Sequence, residues 1–125
     1  MTYKTSNQII DIVITLLVSI TVPKYPKTKP DALQPLEYIV VNTLGIDADV
    51  MQVSHVNVNY HVADITPGTP DNAKIKAGET LVMAILTKVT ATDYMIDFEG
   101  QYDERESSQN EHFSNLKFRF LQINT

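Results

Sequence analysis

One segment alternates between apolar and polar residues, and it constrains the fold more than any other part of the chain. It runs from residue 50 to 62, and its apolar positions from residue 56 onward are Val56, Val58, Tyr60 and Val62. The positions between and before them are His55, Asn57, Asn59 and His61. Because successive side chains of a strand point to opposite faces, the pattern predicts a strand with one face on a core and one polar face.

Three further segments read as strands. Residues 36–44 are apolar at both alternating sets, which is typical of an interior strand. Residues 92–103 place Tyr94, Ile96, Phe98 and Tyr102 toward the core, and residues 112–123 do the same with Leu116, Phe118 and Phe120. A hairpin that pairs Phe98 with Phe118 would set Glu99 opposite Lys117 and Asp97 opposite Arg119. Residues 104–111 between them are predicted to form a charged loop.

Two helices are predicted. The first covers about residues 6–19, where Thr5 and Gln8 have the form of a capping box. Its polar residues form one narrow stripe, so the rest of its surface is either buried on both sides or meets another subunit.

The second predicted helix covers about residues 70–88, with Thr69 as N-cap, Pro70 as the first helical residue and Asp71 in the first turn. Its predicted buried stripe is Ile75, Leu81, Val82, Ile85, Leu86 and Val89. Gly78 lies inside it, which a close approach to a neighbouring backbone would explain. Residues 21–35, with four prolines, are predicted to form an extended surface loop.

These segments predict one domain over residues 1–125, of the α+β class. Strands occur in adjacent pairs along the chain, which favours a mostly antiparallel sheet of four or more strands with two helices on one face. The length of 125 residues is enough to bury a core of its own.

Composition excludes several classes of function. The chain has no cysteine, so disulfides, thiolate catalysis and zinc–thiolate sites are excluded. Its net charge is -5 and its basic residues are scattered, which argues against specific nucleic-acid binding. The longest apolar stretch, residues 9–22, is too short and too polar to span a bilayer, so no membrane contact is expected.

No catalytic motif is present, and the polar candidates favour partner contacts over chemistry. His55 and His61 would be about 20 Å apart on a strand, too far to share a metal ion. The acidic residues Asp93, Asp97, Glu99 and Asp103 have spacings that a hydrolase could use, but they resemble an ordinary solvated sheet face. We therefore expect no catalytic, cofactor-binding or metal-binding residue. The predicted subunit or partner contacts are His55, Asn57, Asn59, His61, Asp97, Glu99, Lys117 and Arg119.

Residues 56–77, VNVNYHVADITPGTPDNAKIKA, carry a family resemblance. The strand Val56–Val62, the turn Gly68-Thr69-Pro70-Asp71 and the helix from Asn72 resemble the central signature of tail-terminator and head–tail joining proteins of long-tailed bacteriophages. The "YIVV" strand at 38–41, the first helix and the paired C-terminal strands extend the similarity more loosely.

The resemblance implies a non-enzymatic virion protein that is assembled in the bacterial cytoplasm. Its expected partners are further copies of itself in a ring, commonly a hexamer, together with the tail tube protein and the head connector protein. The acidic sheet face would line the lumen of such a ring, where like charge limits sticking of DNA. The alternatives are another small adaptor, such as a head-closure or tube-like protein, and a small hydrolase that uses Asp97 and Glu99.

Overall fold

The structure, a computed structural model, describes residues 3–44 and 52–122. These residues form two helices, α1 (Ser6–Leu16) and α2 (Asn72–Leu86). They also form six strands: β1 (Lys24–Pro26), β2 (Glu37–Thr43), β3 (Gln52–Ala63), β4 (Lys88–Thr90), β5 (Tyr94–Glu106) and β6 (Glu111–Gln122). A short 3-10 turn, Ser107–Gln109, joins β5 to β6. Residues 50–51 and 123 of the predicted strands lie outside the described residues.

The strands form one six-stranded sheet in the order β1-β2-β3-β6-β5-β4. β1 runs parallel to β2, and every other neighbouring pair is antiparallel. The predicted α+β class is therefore confirmed, but the sheet is mixed and has six strands. The two strands that the sequence did not predict, β1 and β4, are three residues long and lie at the two edges.

Both helices pack on one face of the sheet, and the core lies between. The sheet contributes the predicted apolar face of β3, Val56, Val58, Tyr60 and Val62, with Leu116, Phe118 and Phe120 from β6. No helix of the described residues lies on the opposite face, which we call the open face. Neither helix in the described part of the chain is long and apolar enough to cross a membrane.

The predicted capping box at the start of α1 is confirmed. The Gln8 amide donates to Thr5 Oγ1 at 3.3 Å, and the Thr5 amide donates to Gln8 Oε1 at 2.8 Å. The helix ends at Leu16, earlier than predicted. Its remaining apolar residues Ile12, Ile14 and Leu16 are half-buried against the core, so one chain covers most of the apolar surface of α1.

The predicted N-cap of α2 is wrong by two residues. Asp71 is the N-cap, and its Oδ1 accepts from the Lys74 amide at 3.2 Å. Thr69 is instead part of the preceding turn, where its amide donates to the Thr66 carbonyl and its carbonyl accepts from the Ile65 amide. Leu81, predicted to be buried, is 50% exposed.

Gly78 of α2 lies directly against the ring of Tyr60 on β3. A Cβ atom at position 78 would overlap three ring atoms of Tyr60, which is almost fully buried. The close approach expected at Gly78 is therefore present, but the neighbour is a side chain and not a backbone. Only glycine lets α2 lie this close to β3.

Two predicted loops contain strand. Residues 21–35 include β1, because the Ile39 amide donates to the Pro23 carbonyl and the Lys27 amide to the Val41 carbonyl. The predicted loop 104–111 is mostly hairpin, because β5 continues through Glu106 and β6 starts at Glu111. Asn110, with φ of 51°, supplies the left-handed residue that closes the turn.

A β-bulge at Glu99 changes which side chains of β5 face the core. Before it, Phe98 pairs with Phe118 as predicted. After it, Gly100 and not Glu99 lies opposite Lys117, so that predicted pair is wrong. The extra residue reverses the alternation, and Tyr102, predicted to be buried, is on the open face and 57% exposed.

Candidate functional site

All eight residues predicted to contact partners lie on the open face of the sheet. The register pairs His55 with Arg119 and Arg119 with Asp97 across β3, β6 and β5. Asn57 pairs with Lys117 one step further along. The alternation of strand side chains then places Asn59 and His61 on the same face. The sequence therefore located one continuous surface, although the contacts within it differ from those expected.

One end of the open face is a pair of exposed ionic contacts. Arg119 donates to both carboxylate oxygens of Asp97, from Nε at 3.2 Å and from Nη2 at 2.7 Å. The hydrogen bonds and charge of Asp97 raise the pKa of Arg119. His55 Nδ1 lies 3.0 Å from the Glu99 carboxylate. Exposed pairs of this kind contribute only about 0–1 kcal/mol to stability in general, so these contacts add little to the stability of the fold.

The predicted contact of Lys117 with Glu99 is replaced by a contact with an aromatic ring. The Lys117 ammonium lies 5.7 Å from the centre of the Tyr102 ring. That distance is within the range of a cation–π contact. The bulge is the cause, because it turns Tyr102 to the open face and removes Glu99 from the position opposite Lys117.

The centre of the open face is a chain of hydrogen-bonded asparagine amides. Asn115 Nδ2 donates to Asn59 Oδ1 at 2.5 Å and, more weakly, to Asn57 Oδ1 at 3.4 Å. Asn57 Nδ2 in turn donates to Asn42 Oδ1 at 2.9 Å. Asn57 and Asn59 are only 8% and 9% exposed, so the neighbouring side chains cover them although they lie on the polar face of β3.

The other end of the open face contains a buried carboxylate that the sequence did not indicate. Glu111, the first residue of β6, accepts from His61 Nδ1 at 2.9 Å and from the Tyr38 hydroxyl. Burial alone would raise the pKa of Glu111, but the hydrogen bonds from His61 and Tyr38 hold it below its usual value. Burial, together with the neighbouring carboxylate, raises the pKa of Tyr38. Glu111 is therefore an ionised acceptor, and both partners donate to it.

Aromatic rings fix the histidine of this cluster. The rings of Tyr38 and His61 stack with centres 4.4 Å apart, and those of His61 and Phe113 stack at the same distance. Rotation of His61 would break both contacts and its bond to Glu111. Strand alternation cannot reveal this arrangement, since residues 104–111 read as a charged loop and residues 36–44 are apolar at both alternating sets.

A second acid–histidine pair, which is half-buried, lies on the helix side of the sheet. His112 Nδ1 is 2.6 Å from Asp64 Oδ1, and the Gly68 amide donates to Asp64 Oδ2 at 2.9 Å. Burial opposes ionisation of Asp64, but these hydrogen bonds outweigh it and lower its pKa. Because Asp64 lies before the turn that leads to α2 and His112 lies in β6, this pair holds the turn against β6.

Neither the metal site nor the acidic catalytic group is assembled. His55 and His61 bind different carboxylates at opposite ends of the open face. Within residues 3–44 and 52–122, no three metal-ligating side chains form a cluster. Of the acidic group, Asp93 pairs with Lys4 at 2.9 Å, and Asp97 and Glu99 each have a basic partner. Asp103 faces the helix side after the bulge, opposite Ser114.

No protein-family model matches the sequence, and no curated protein matches it significantly.

Proposed function

We propose that this chain is a structural subunit of a phage or prophage virion, a tail terminator or head–tail joining protein that closes the tail tube as a ring. The open face is the observation that carries the proposal. It spans β2, β3, β6 and β5, and no helix of the described residues covers it. It contains all eight predicted contact residues, of which Asn57, Asn59 and His61 are at most 9% exposed within one chain and the other five are accessible to a partner. A sheet with one face on a core and one polar face without a covering layer suits contact with another subunit.

The segment that carries the family resemblance adds support. Residues 56–77 form, in order, the second half of β3, a turn with a backbone bridge between Thr66 and Thr69, and the first part of α2. Strand, turn and helix are the arrangement that the resemblance implies for this segment. The same resemblance favours contact with copies of the chain, with the tail tube protein and with the head connector protein, and no enzymatic activity.

Charge along β5 is consistent with a surface near DNA. On the open side this strand carries Asp97, Glu99, Glu104 and Glu106. Facing the lumen of a ring, these carboxylates would repel the phosphate backbone and limit sticking. A ring structure with Asp97 and Glu99 on its outer rim would contradict this part of the proposal.

Light scattering coupled to size-exclusion chromatography tests the proposal, first on the purified chain and then with purified tail tubes. We expect a ring-sized mass in solution, or a mass that appears only when tubes are added. A chain that stays monomeric and ignores tubes at high concentration would refute it. Binding to connectors without binding to tubes would instead favour a head-closure adaptor.

A further inference from the structure

A cavity of about 360 Å³ lies over the open face, at the end where β2, β3 and β6 begin or end. The loop after β1 contributes Lys27 and Lys29 to one wall, and the 3-10 turn between β5 and β6 contributes Ser108 and Gln109 to another. The floor includes Asn42, Asn59 and His61. This volume is at the lower end of the range of small-molecule sites in proteins, about 300–1,000 Å³.

The asparagine chain determines which atoms of the floor face the cavity. Asn42 Oδ1 accepts from Asn57, and Asn59 Oδ1 accepts from Asn115. Because each carbonyl oxygen is engaged, the NH2 group of each amide points the other way. Among the described residues neither NH2 group has a hydrogen-bond partner, and neither nitrogen is fully buried. Asn59 lines the cavity and is only 9% exposed overall. A ligand therefore reaches its NH2 group through the cavity.

His61 supplies an acceptor beside these donors. An ionised carboxylate can only accept, so the bond to Glu111 places the ring proton on Nδ1. In the neutral ring Nε2 then carries a lone pair, and within the described part of the chain no group donates to it. Stacking between Tyr38 and Phe113 fixes the direction of that lone pair.

We infer that this cavity binds an amide group of a partner polypeptide, whose carbonyl accepts from the Asn42 and Asn59 side chains and whose N–H donates to His61 Nε2. Asn59 and His61 are two residues apart on β3, about 7 Å, so one planar amide can reach both. A carboxylate would meet the donors and the two lysines, but it would face the Nε2 lone pair and the charges of Asp31, Glu106 and Glu111. A cation would meet the three carboxylates, but it would face two NH2 groups on the floor and the ammonium groups of Lys27 and Lys29.

The inference concerns a site within a single chain, so it stands or falls separately from ring formation. The probe is N-methylacetamide, titrated to about 100 mM because a ligand of this size binds weakly. Nuclear magnetic resonance at pH 8 follows the side-chain NH2 signals of Asn42 and Asn59 and the Nε2 signal of His61. We expect all three to shift and saturate with this amide, and not with sodium acetate or guanidinium chloride.

Variants assign the effect to the floor of the cavity. Asn59→Leu removes one donor at similar volume, and we expect the apparent affinity to fall about fivefold, the worth of one hydrogen bond. If Asn59→Leu does not fold, Asn42→Leu at a half-buried position removes the other donor with the same expected loss. His55→Gln, on the same strand face but outside the cavity, is the matched control and should leave affinity unchanged. Saturable binding of acetate, or no saturable shift with the amide, would overturn the inference.

Discussion

Replacement of Gly78 by alanine tests how closely α2 lies on β3. At an unobstructed helix position this change would stabilise the fold by about 1 kcal/mol. Here the new methyl would overlap three atoms of the Tyr60 ring. The ring is 2% exposed, and its hydroxyl donates to Glu37 at 3.0 Å, so it cannot swing aside freely.

Two opposing terms give the expected magnitude for Gly78→Ala. Overpacking in a core costs about 1–3 kcal/mol, and a clash with a buried, hydrogen-bonded ring belongs at the upper end. After subtraction of the helix gain, we expect a net loss of about 2 kcal/mol in the free energy of unfolding. For a chain of this length that corresponds to a fall of roughly 8 °C in Tm.

Urea unfolding followed by circular dichroism measures the loss, and two further variants isolate its cause. Ala84→Gly, at an exposed position of α2, should cost about 1 kcal/mol through helix propensity alone. Tyr60→Leu is destabilising by itself, but it makes room for the new methyl. We therefore expect Gly78→Ala to cost less in that background, with a coupling of about 1–3 kcal/mol. A Gly78→Ala variant as stable as the parent would refute the close packing of α2 on β3.

Two other predictions concern charges on the open face. The pKa of Glu111 is held below its usual value of 4.5, so its contribution to stability is present above that pH and is lost as pH falls through the folded-state pKa. Below about pH 4.5, the free energy of unfolding should therefore fall less steeply with decreasing pH for Glu111→Gln than for the parent. Parallel curves for the two proteins would contradict this. Double-mutant cycles by urea unfolding should give a favourable coupling between Asp97 and Arg119 and none between Glu99 and Lys117. The opposite ranking would show that the bulge does not form.

The elements that the sequence predicted correctly are those in which local pattern and tertiary packing agree. The capping box at Thr5 is a contact between residues three apart, so it depends on little else. The core face of β3 follows from strand alternation alone. The pairing of Phe98 with Phe118 follows from matching two apolar faces before the bulge intervenes.

The errors arise where pairing with a distant strand overrides local preference. Residues 104–106 are charged and read as loop, yet they extend β5 because β6 lies alongside them. β1 lies in a proline-rich segment, and only the presence of β2 makes it a strand. The bulge at Glu99 adds one residue, which moved Tyr102 and Asp103 to the faces opposite those predicted.

The same limits apply to the candidate site. Alternation was sufficient to place the eight predicted contact residues on one face, because a face is a property of each strand taken alone. The Glu111 cluster brings together side chains from β2, β3 and β6, up to 73 positions apart in the chain. Residues so far apart in the chain produce no periodic pattern from which their contact could be predicted. The burial of Asn57 and Asn59 likewise depends on neighbouring strands and not on the local sequence.

The two edges of the sheet differ in their capacity to add a strand. β1 is short and ends at Pro26, which has no amide hydrogen and whose carbonyl already accepts from the Thr28 amide at 2.8 Å. On the opposite side, the outer edge of β5 beyond Phe98 has no strand partner among the described residues. Within the described part of the chain, aggregation by strand addition therefore has one long edge to use. Two chains joined through β5 would leave only the three-residue strands β1 and β4 of these residues at free edges, so pairing would stop at two chains and not extend into a fibril.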